Sequence, residues 1–363
     1  MYKGTGISKD QLSDDGEPCI LYGELYTKYK SETIREVISK TNIDNTKLVR
    51  SKANDVIIPC SGETAEDIAT ARCVLNGNIL LGGDLNIIRL HGYDGAFMSY
   101  QLNGRRKYDI AKVAQGVSVV HLYGEHLKGV KTINPCLEEQ KKIASLLALL
   151  DERITTQNKI IEDLKMLKSA IIEIEYTPNT KTTSPIGDVI EQISKRNKNN
   201  AIQNVLSVSN RQGFIKQSDQ FENRNVASED TSNYKIVEQN DFAFNPARIN
   251  VGSIARLTTF EKGIVSPMYI CFRTQENVAP EYIDYFFESK HFYCEIQKRL
   301  EESVRQCLSF EGLCNIPLSL PSFEMQQLIG KRLFTLEQKI KTETDLLELL
   351  NKQKQYLLRQ MFI

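Results

Sequence analysis

The stretch Asn134–Tyr176, NPCLEEQKKIASLLALLDERITTQNKIIEDLKMLKSAIIEIEY, constrains this chain most, because it occurs twice. Shifted by 186 positions it falls without a gap on Leu320–Phe362. Between Pro135 and Tyr176, 11 of 42 positions are identical: Pro135/Pro321, Glu138/Glu324, Gln140/Gln326, Ile143/Ile329, Leu147/Leu333, Leu150/Leu336, Ile154/Ile340, Thr156/Thr342, Glu162/Glu348, Leu164/Leu350 and Lys168/Lys354. In the first copy, apolar residues step by four and three, which is the 3.5-residue period of a coiled-coil seam. Each copy follows a block of similar length. The chain therefore reads as a duplicated unit: globular block, long helix, globular block, long helix.

The repeat reaches back beyond the helices. At the same shift SVVHLYGEHLKGV (118–130) lies on VRQCLSFEGLCNI (304–316), matching Leu122/Leu308, Glu125/Glu311 and Leu127/Leu313, and DVIIP (55–59) lies on DFAFN (241–245). Elsewhere the blocks diverge. A shared scaffold with divergent loops is how a protein keeps one architecture and varies what it recognises.

Read in order, residues 1–133 are a mixed block. ILYGELYT (20–27), DVIIPC (55–60), NILLGGDLNIIRL (78–90) and VSVVHLY (117–123) are β-prone runs bounded by Gly, Asn and Asp. SETIREVISKT (31–41) and ETAEDIATARCVL (63–75) read as short helices. The first long helix spans 134–176. Pro135 suits its opening position, and Glu138 and Glu139 complement the positive end of the dipole. TPNTKTTSP (177–185) is a linker. Residues 186–319 form the second mixed block, with strands expected at NVLSVS (204–209), DFAFNP (241–246), GSIARL (252–257) and VSPMYICFR (265–273). Helices are expected there at APEYIDYFFES (279–289) and HFYCEIQKRLEESV (291–304). The second long helix fills 320–363.

Two such helices can bury their seams against each other: Ile143, Leu147, Leu150, Ile154, Gln157, Ile161 and Leu164 against Ile329, Leu333, Leu336, Ile340, Glu343, Leu347 and Leu350. A short linker and a compact second block return the second helix antiparallel. The expected fold class is α+β: two globular domains separated by two long helices that form an antiparallel coiled coil, with an internal pseudo-two-fold axis. A helix of ~40 residues is ~60 Å long, against ~34–36 Å for a turn of B-DNA. Gln157 and Glu343 occupy equivalent mid-seam positions. In an antiparallel pair centred there they meet, and a polar pair of this kind fixes register. The same centring brings Lys168 towards Arg332.

Composition leaves few other classes open. The chain has 363 residues, 41% hydrophobic and 25% charged, with 46 basic against 46 acidic residues. Zero net charge excludes a bulk polycation but not local basic surfaces. No apolar run reaches membrane-spanning length, and the opening MYKGTGISKDQLSDDG has no apolar core of a signal peptide. The irregular spacing of the eight cysteines fits free thiols in a reducing cytosol, so a cytoplasmic location is expected.

Together, the helices opening P-x-x-E-x-Q (Pro135, Glu138, Gln140 and Pro321, Glu324, Gln326) and the segments Leu122–Leu127 and Leu308–Leu313 resemble the specificity subunit of type I restriction–modification systems. GTGISKDQ (4–11), YGELYT (22–27) and NPARINVGSI (245–254) also resemble segments of its target recognition domains. The resemblance covers essentially the whole chain. It implies a sequence-specific DNA-binding subunit without catalytic activity, each domain reading one half of a bipartite asymmetric site in the major groove of double-stranded DNA. The helices would set the spacing and dock two copies of a modification (methyltransferase) subunit. A restriction (translocase/endonuclease) subunit could join. No cofactor is expected in this chain. S-adenosylmethionine, and ATP with Mg for cleavage, would sit on the partners. PIGDVIEQISKRN (185–197) opens the second block as such domains are expected to open. Met1 begins after the equivalent point, so the first domain is expected to be shortened or to follow an upstream segment.

Base readout calls for Arg, Lys, Asn or Gln at a groove edge, and phosphate contact for cations, hydroxyls or backbone N–H groups. In the first domain the candidates are Lys3, Ser8, Lys9, Tyr22, Tyr26 and Lys28, with the turn Arg105, Arg106 and Lys107. In the second they are Asn210, Arg211, Gln212 and Lys216, then Asn245, Arg248 and Asn250, and finally Arg305 and Gln306. Any one of these is ordinary for a solvated loop; the expectation concerns the set. Enzyme signals are weak. NPAR (245–248) is not the Asn/Asp-Pro-Pro-aromatic motif of adenine methyltransferases, and no G-x-x-x-x-G-K-[ST] loop exists. His121, Glu125 and His126 have the wrong order for H-E-x-x-H, and the repeat of that segment lacks both His, so no metal is expected. A non-catalytic coiled-coil adaptor with two protein-binding domains is the alternative, and an enzyme with an unrecognised site is a third.

Overall fold

The computed structural model describes residues 1–44, 46–116, 119–178, 183–210, 212–220, 230–300 and 307–362. The chain divides into two compact units, Met1–Ile160 with Glu343–Ile363, and Ile161–Thr342. Each unit combines one mixed α/β block with half of each long helix.

In the first unit, one sheet has the strand order Tyr2–Lys3, Leu85–Ile88, Asp55–Pro59, Arg72–Val74, Thr33–Ile34, and another has Leu12–Ser13, Ser39–Thr41, Glu17–Ile20, Leu80–Leu81. The second unit repeats the plan. Its sheets are Ile190–Ile193, Ile270–Thr274, Phe242–Phe244, Ile254–Arg256, and Gly213–Lys216, Val205–Ser209, Lys262–Val265, Lys235–Glu238. The registers correspond. Val56 pairs with Ile88 as Phe242 pairs with Phe272, and Tyr2 pairs with Ile87 as Ile193 pairs with Cys271. A parallel pair lies in the second sheet of each, Cys19 with Leu80 and Val205 with Ile264.

Buried polar groups repeat too. The Asp55 carboxylate accepts from the Lys52 backbone N–H and from both ends of the Arg89 guanidinium fork, at 2.8–3.0 Å. Asp241 accepts from the Glu238 N–H and from Arg273 in the same pattern, at 2.8–3.1 Å. Each carboxylate thus closes a turn and pins the neighbouring strand, a bidentate charged arrangement stronger than a neutral bond.

The long helices run Leu137–Tyr176 and Phe323–Gln360. Within the first unit they are antiparallel: Gln157 meets Glu343, Asp151 meets Lys354, and Leu147 clusters with Leu358 and Phe362. Within the second they are antiparallel again, with Lys168 on Glu337 and Ile172 clustered with Ile329 and Leu333. All the expected seam residues are buried or half-buried, while Leu146, Leu149, Met166, Leu349 and Tyr356 face outward. Lys168 does not approach Arg332 as its closest partner; Glu337 and Glu288 take its ammonium instead. Each helix runs past the centre with its side chains leaning towards its own N-terminus, so partners are offset from the simple centring.

Several expected elements differ. SETIREVISKT (31–41) is two short strands, Thr33–Ile34 and Ser39–Thr41, rather than a helix, because β-branched Thr33, Ile34 and Thr41 pair into sheets at both ends. ILYGELYT (20–27) is the end of a strand followed by the helical turn Glu24–Thr27; Glu24 folds back to accept from the Leu21 N–H at 3.0 Å. ETAEDIATARCVL (63–75) is helical only over Ala65–Ile68 and is a strand from Arg72. VSPMYICFR (265–273) contains a turn between two strands. Pro135 does not open the helix; it lies two residues before it and offers its carbonyl to the Gln140 side chain. Two helices, Gly95–Asn103 and Lys107–Val113, were not expected. The first is buried almost all round, so no polar face marks it.

Both unexpected and expected domain helices are bolted to the long helices by one device. Gln140 Oε1 accepts from the Asp94 N–H at 2.9 Å and Gln140 Nε2 donates to the Pro135 carbonyl at 2.8 Å. Gln326 does the same with the Ala279 N–H at 3.0 Å and the Pro321 carbonyl at 2.9 Å. Asp94 and Ala279 are the N-caps of Gly95–Asn103 and Pro280–Phe286. Each Gln therefore satisfies the unpaired N–H at the start of a domain helix and the proline carbonyl just ahead of its own long helix.

Candidate nucleic-acid interface

In the second unit the candidates converge. The turn after Val205–Ser209 abuts the turn Asn245–Ser253: a Cβ on Gly252, which sits at φ +87°, would lie 3.7 Å from Asn210 Cβ. Ser253 Oγ donates to the Val208 carbonyl at 3.3 Å. This brings Asn210, Gln212, Arg248 and Asn250 to one end of the sheet, with Gln212 and Arg248 exposed. Lys216 is exposed at the end of the Gly213–Lys216 strand. Asn245 has a different task. It is buried, its Oδ1 accepts from the Ala247 N–H at 3.1 Å and its backbone N–H donates to Ser253, so it shapes the turn that carries Arg248. Arg211, Arg305 and Gln306 lie outside the described residues.

In the first unit the candidates fall into separate groups. Lys3 is exposed, its Nζ 6.0 Å from the Tyr123 ring centroid. Ser8 caps the turn Lys9–Gln11, its N–H donating to Gln11 Oε1 at 3.0 Å, and Lys9 is exposed. Tyr22 and Tyr26 are half-buried; burial pushes the Tyr26 hydroxyl up, with Tyr22, Asp67 and Glu63 adding to it. Lys28 is engaged internally, donating to Glu24 Oε1 at 2.7 Å and Ser39 Oγ at 2.9 Å. Arg105, Arg106 and Lys107 form a basic turn beside the second long helix, where a Cβ on Gly104 would meet the Leu358 carbonyl at 2.7 Å. Arg106 pairs with Asp109 at 3.5 Å.

The structure adds a basic concavity that single-residue motifs did not reveal. Lys195, Arg196, Lys198 and Lys262, with Asn197 and Asn199, line an open hollow of about 830 Å³ in the second unit. Arg196 is steadied by Asn233 at 3.1 Å and Lys262 by Glu238 at 2.8 Å. Cations around a hollow suit a phosphate-bearing polymer better than an apolar ligand. The signal was present as the run KRNK (195–198) at the end of PIGDVIEQISKRN and one residue beyond it, but only folding brings Lys262 to it. Among the described residues no cluster of three His, Cys, Asp or Glu could hold a metal, and Glu125 is paired with Lys128 at 2.7 Å. Among them, too, no helix is long and apolar enough to cross a membrane.

A duplicated α+β block, each copy packed with antiparallel stretches of the two long helices, defines a two-domain protein built on a repeat. Residues 178–352 match the family described as type I restriction modification DNA specificity domain. The specificity subunit of the type I restriction enzyme MjaVIII from Methanocaldococcus jannaschii is 23% identical over 366 aligned positions, covering 92% of this chain and 82% of that protein. In fold, the type I restriction–modification S subunit from M. genitalium matches 100% of this chain and 93% of its own, with a TM-score of 0.62 at 16% identity. A chain from a structure titled for complex assembly and conformational transition of the type I R-M system matches 89% of this chain and 86% of its own, with a TM-score of 0.50 at 15% identity. The chain thus resembles type I restriction–modification specificity subunits along its length, and residues 178–352 match the model of their specificity domain.

Proposed function

We propose that this chain is the DNA-reading subunit of a type I restriction–modification complex and does no chemistry itself. Each domain reads one half of a bipartite, asymmetric site in the major groove, and the long helices set the spacing between the halves. The observation that carries this reading is the repetition of one scaffold, down to the Asp55/Asp241 and Gln140/Gln326 bonds, beneath loops that diverge in sequence. A repeated scaffold with different reading loops is what an asymmetric two-part site requires. Arg248, Gln212 and Asn210 suit base edges in the second half-site, and Lys195, Lys198 and Lys216 suit phosphates. Lys3, Ser8 and Lys9 would serve in the first.

The outward faces of the helices support partner docking. Leu149 is 64% exposed, Met166 70%, Ile174 76%, Leu349 61% and Tyr356 64%, a density of large apolar side chains beyond what a solvated helix face needs. Two related faces suit two copies of one modification subunit. Those subunits would bring S-adenosylmethionine and methylate adenine, and a restriction subunit would add ATP-dependent cleavage in the cytoplasm. Sequencing of methylated adenines in cells carrying the modification partner, with and without this chain, tests the reading. A split motif that vanishes with the chain is expected. Stable assembly with the methyltransferase but no DNA preference would instead favour a protein-binding adaptor, and methyl transfer by this chain alone would overturn a non-catalytic role.

A further inference from the structure

Two polar junctions, one in each unit and each built on a buried lysine, repeat at matching positions. In the first, Lys354 of the second long helix reaches Asp151 Oδ1 of the first at 2.6 Å and Glu32 Oε2 of the domain at 2.5 Å. Tyr100, on the domain helix Gly95–Asn103, donates its hydroxyl to Asp151 Oδ2 at 2.8 Å, and Ser31 Oγ donates to the same oxygen at 2.8 Å. In the second, Lys168 of the first long helix reaches Glu337 Oε1 of the second at 3.1 Å and Glu288 Oε2 of the domain at 2.8 Å. Tyr285, on Pro280–Phe286, donates to Glu337 Oε2 at 3.1 Å. Lys168 and Lys354 are equivalent in the repeat, as are Asp151 and Glu337. Both lysine side chains are only 14% exposed. Burial pulls each ammonium down, but the facing carboxylates outweigh it and raise both.

We infer that Lys354 with Asp151 and Tyr100, and Lys168 with Glu337 and Tyr285, are positioning residues that hold each domain at one place along its helices and so restrict the DNA spacer to one length. The inference rests on the DNA-reading function proposed above. Along the seam, Leu and Ile follow one another at heptad spacing, so a slipped helix could still bury apolar surface. Gln157 and Glu343 form a polar pair at mid-seam; away from it, the apolar positions alone oppose a register slip weakly. The junctions oppose it, the first more than the second: sliding would leave a buried ammonium unpaired in each, and in the first two buried carboxylates as well. A buried ion pair as a whole is not needed for stability, since apolar residues of similar volume in place of all its members pack as well. What the Lys adds is direction. Each one binds three structural elements together: the opposing helix, the domain, and, through the shared carboxylate, the domain helix that carries the Tyr. Seventeen residues separate Asp151 from Lys168, and seventeen separate Glu337 from Lys354, so both helices carry the same interval between junctions.

The full chain with its modification partner, read out by sequencing of methylated adenines, tests this. Lys354→Gln and Lys168→Gln remove one ammonium each, and Tyr100→Phe and Tyr285→Phe remove one hydroxyl each with little risk to folding. Lys352→Gln, at an exposed position on the same helix, is the control. Wild type and control are expected to methylate one split motif with one spacer. The junction variants should keep both half-sites but raise the share of sites with a spacer one base pair longer or shorter about tenfold, the change that ~1.4 kcal/mol of lost preference produces. Unchanged spacer length in all four variants, with methylation merely lower, would overturn the inference while leaving the DNA-reading function intact. A wild type that directs no split motif would overturn that function, and the inference with it.

Discussion

Gln157 Nε2 donates to Glu343 Oε2 at 2.5 Å and to the Glu343 carbonyl at 3.0 Å, across two helices and between positions equivalent in the repeat. The pair is polar within an otherwise apolar seam, and Gln157 is 5% exposed. Gln157→Leu alone should destabilise the protein by ~1.5–3 kcal/mol, since it strips a donor from a half-buried carboxylate. Gln157→Leu with Glu343→Leu should recover that loss and raise Tm above wild type, at the expense of register. Thermal unfolding of the three variants checks the first point. A double variant less stable than the single would show that the pair serves stability rather than register.

The first junction is more enclosed than the second. Glu32 and Asp151 are 8% exposed at the side chain, whereas Glu288 and Glu337 are 47% exposed. Burial raises the Glu32 carboxyl despite the pull of Lys354. Lys354→Met should therefore cost ~3–5 kcal/mol, as expected when one partner of a buried pair is removed. Lys168→Met should cost about 1 kcal/mol or less, because water can solvate the carboxylates left behind. Urea unfolding of both variants provides the comparison, and equal losses would mean the two junctions are energetically alike despite their exposure.

Much of this architecture was visible in the chain. The seam, the two long helices and the strands Asp55–Pro59 and Phe242–Phe244 follow from periodicity and the 186-residue repeat. Gln140 and Gln326 stood out as identical, but their partners are backbone N–H groups of Asp94 and Ala279, which carry no side-chain signature. Helix Gly95–Asn103 escaped notice because a helix buried on all sides has no periodic polar face. The strands near Thr33 and Ser39 were hidden for the opposite reason: they are two or three residues long, and partners distant in sequence decide their pairing. The basic hollow needs Lys262 beside Lys195 and Lys198, a proximity set by the sheet and not by any local pattern.

Asp284 gives the second unit a pH response of definite sign. Burial, with Glu288 and Glu337 nearby, pushes its carboxyl up to about 6 against the pull of Arg256, which donates to it at 3.0 Å. A carboxyl raised in the folded state binds its proton more tightly there than in the unfolded chain. Its contribution favours folding below the ordinary carboxylate range and is lost as pH rises through about 6. Wild type should therefore gain stability relative to Asp284→Asn as pH falls from 7 to about 4. Denaturation midpoints of the two proteins across that range test this, and a difference that stays flat or reverses would rule it out.

The interval between the junctions gives the last prediction its location. If the helices are the ruler, only residues between Asp151 and Lys168, and between Glu337 and Lys354, contribute to its length. Deleting residues 158–164 together with the equivalent 344–350 keeps Gln157, Glu343 and both junctions, and removes one heptad from each helix. Seven residues of helix correspond to roughly 10 Å, or about three base pairs of B-DNA. Methylated-adenine sequencing should then return the same two half-sites with a spacer shorter by about that amount. Deleting seven residues from one helix alone should abolish directed methylation, because one junction or the other must then open and leave its Lys unpaired. Altered half-sites in the double deletion would mean the helices do more than measure, since nothing within 158–164 or 344–350 belongs to a reading loop.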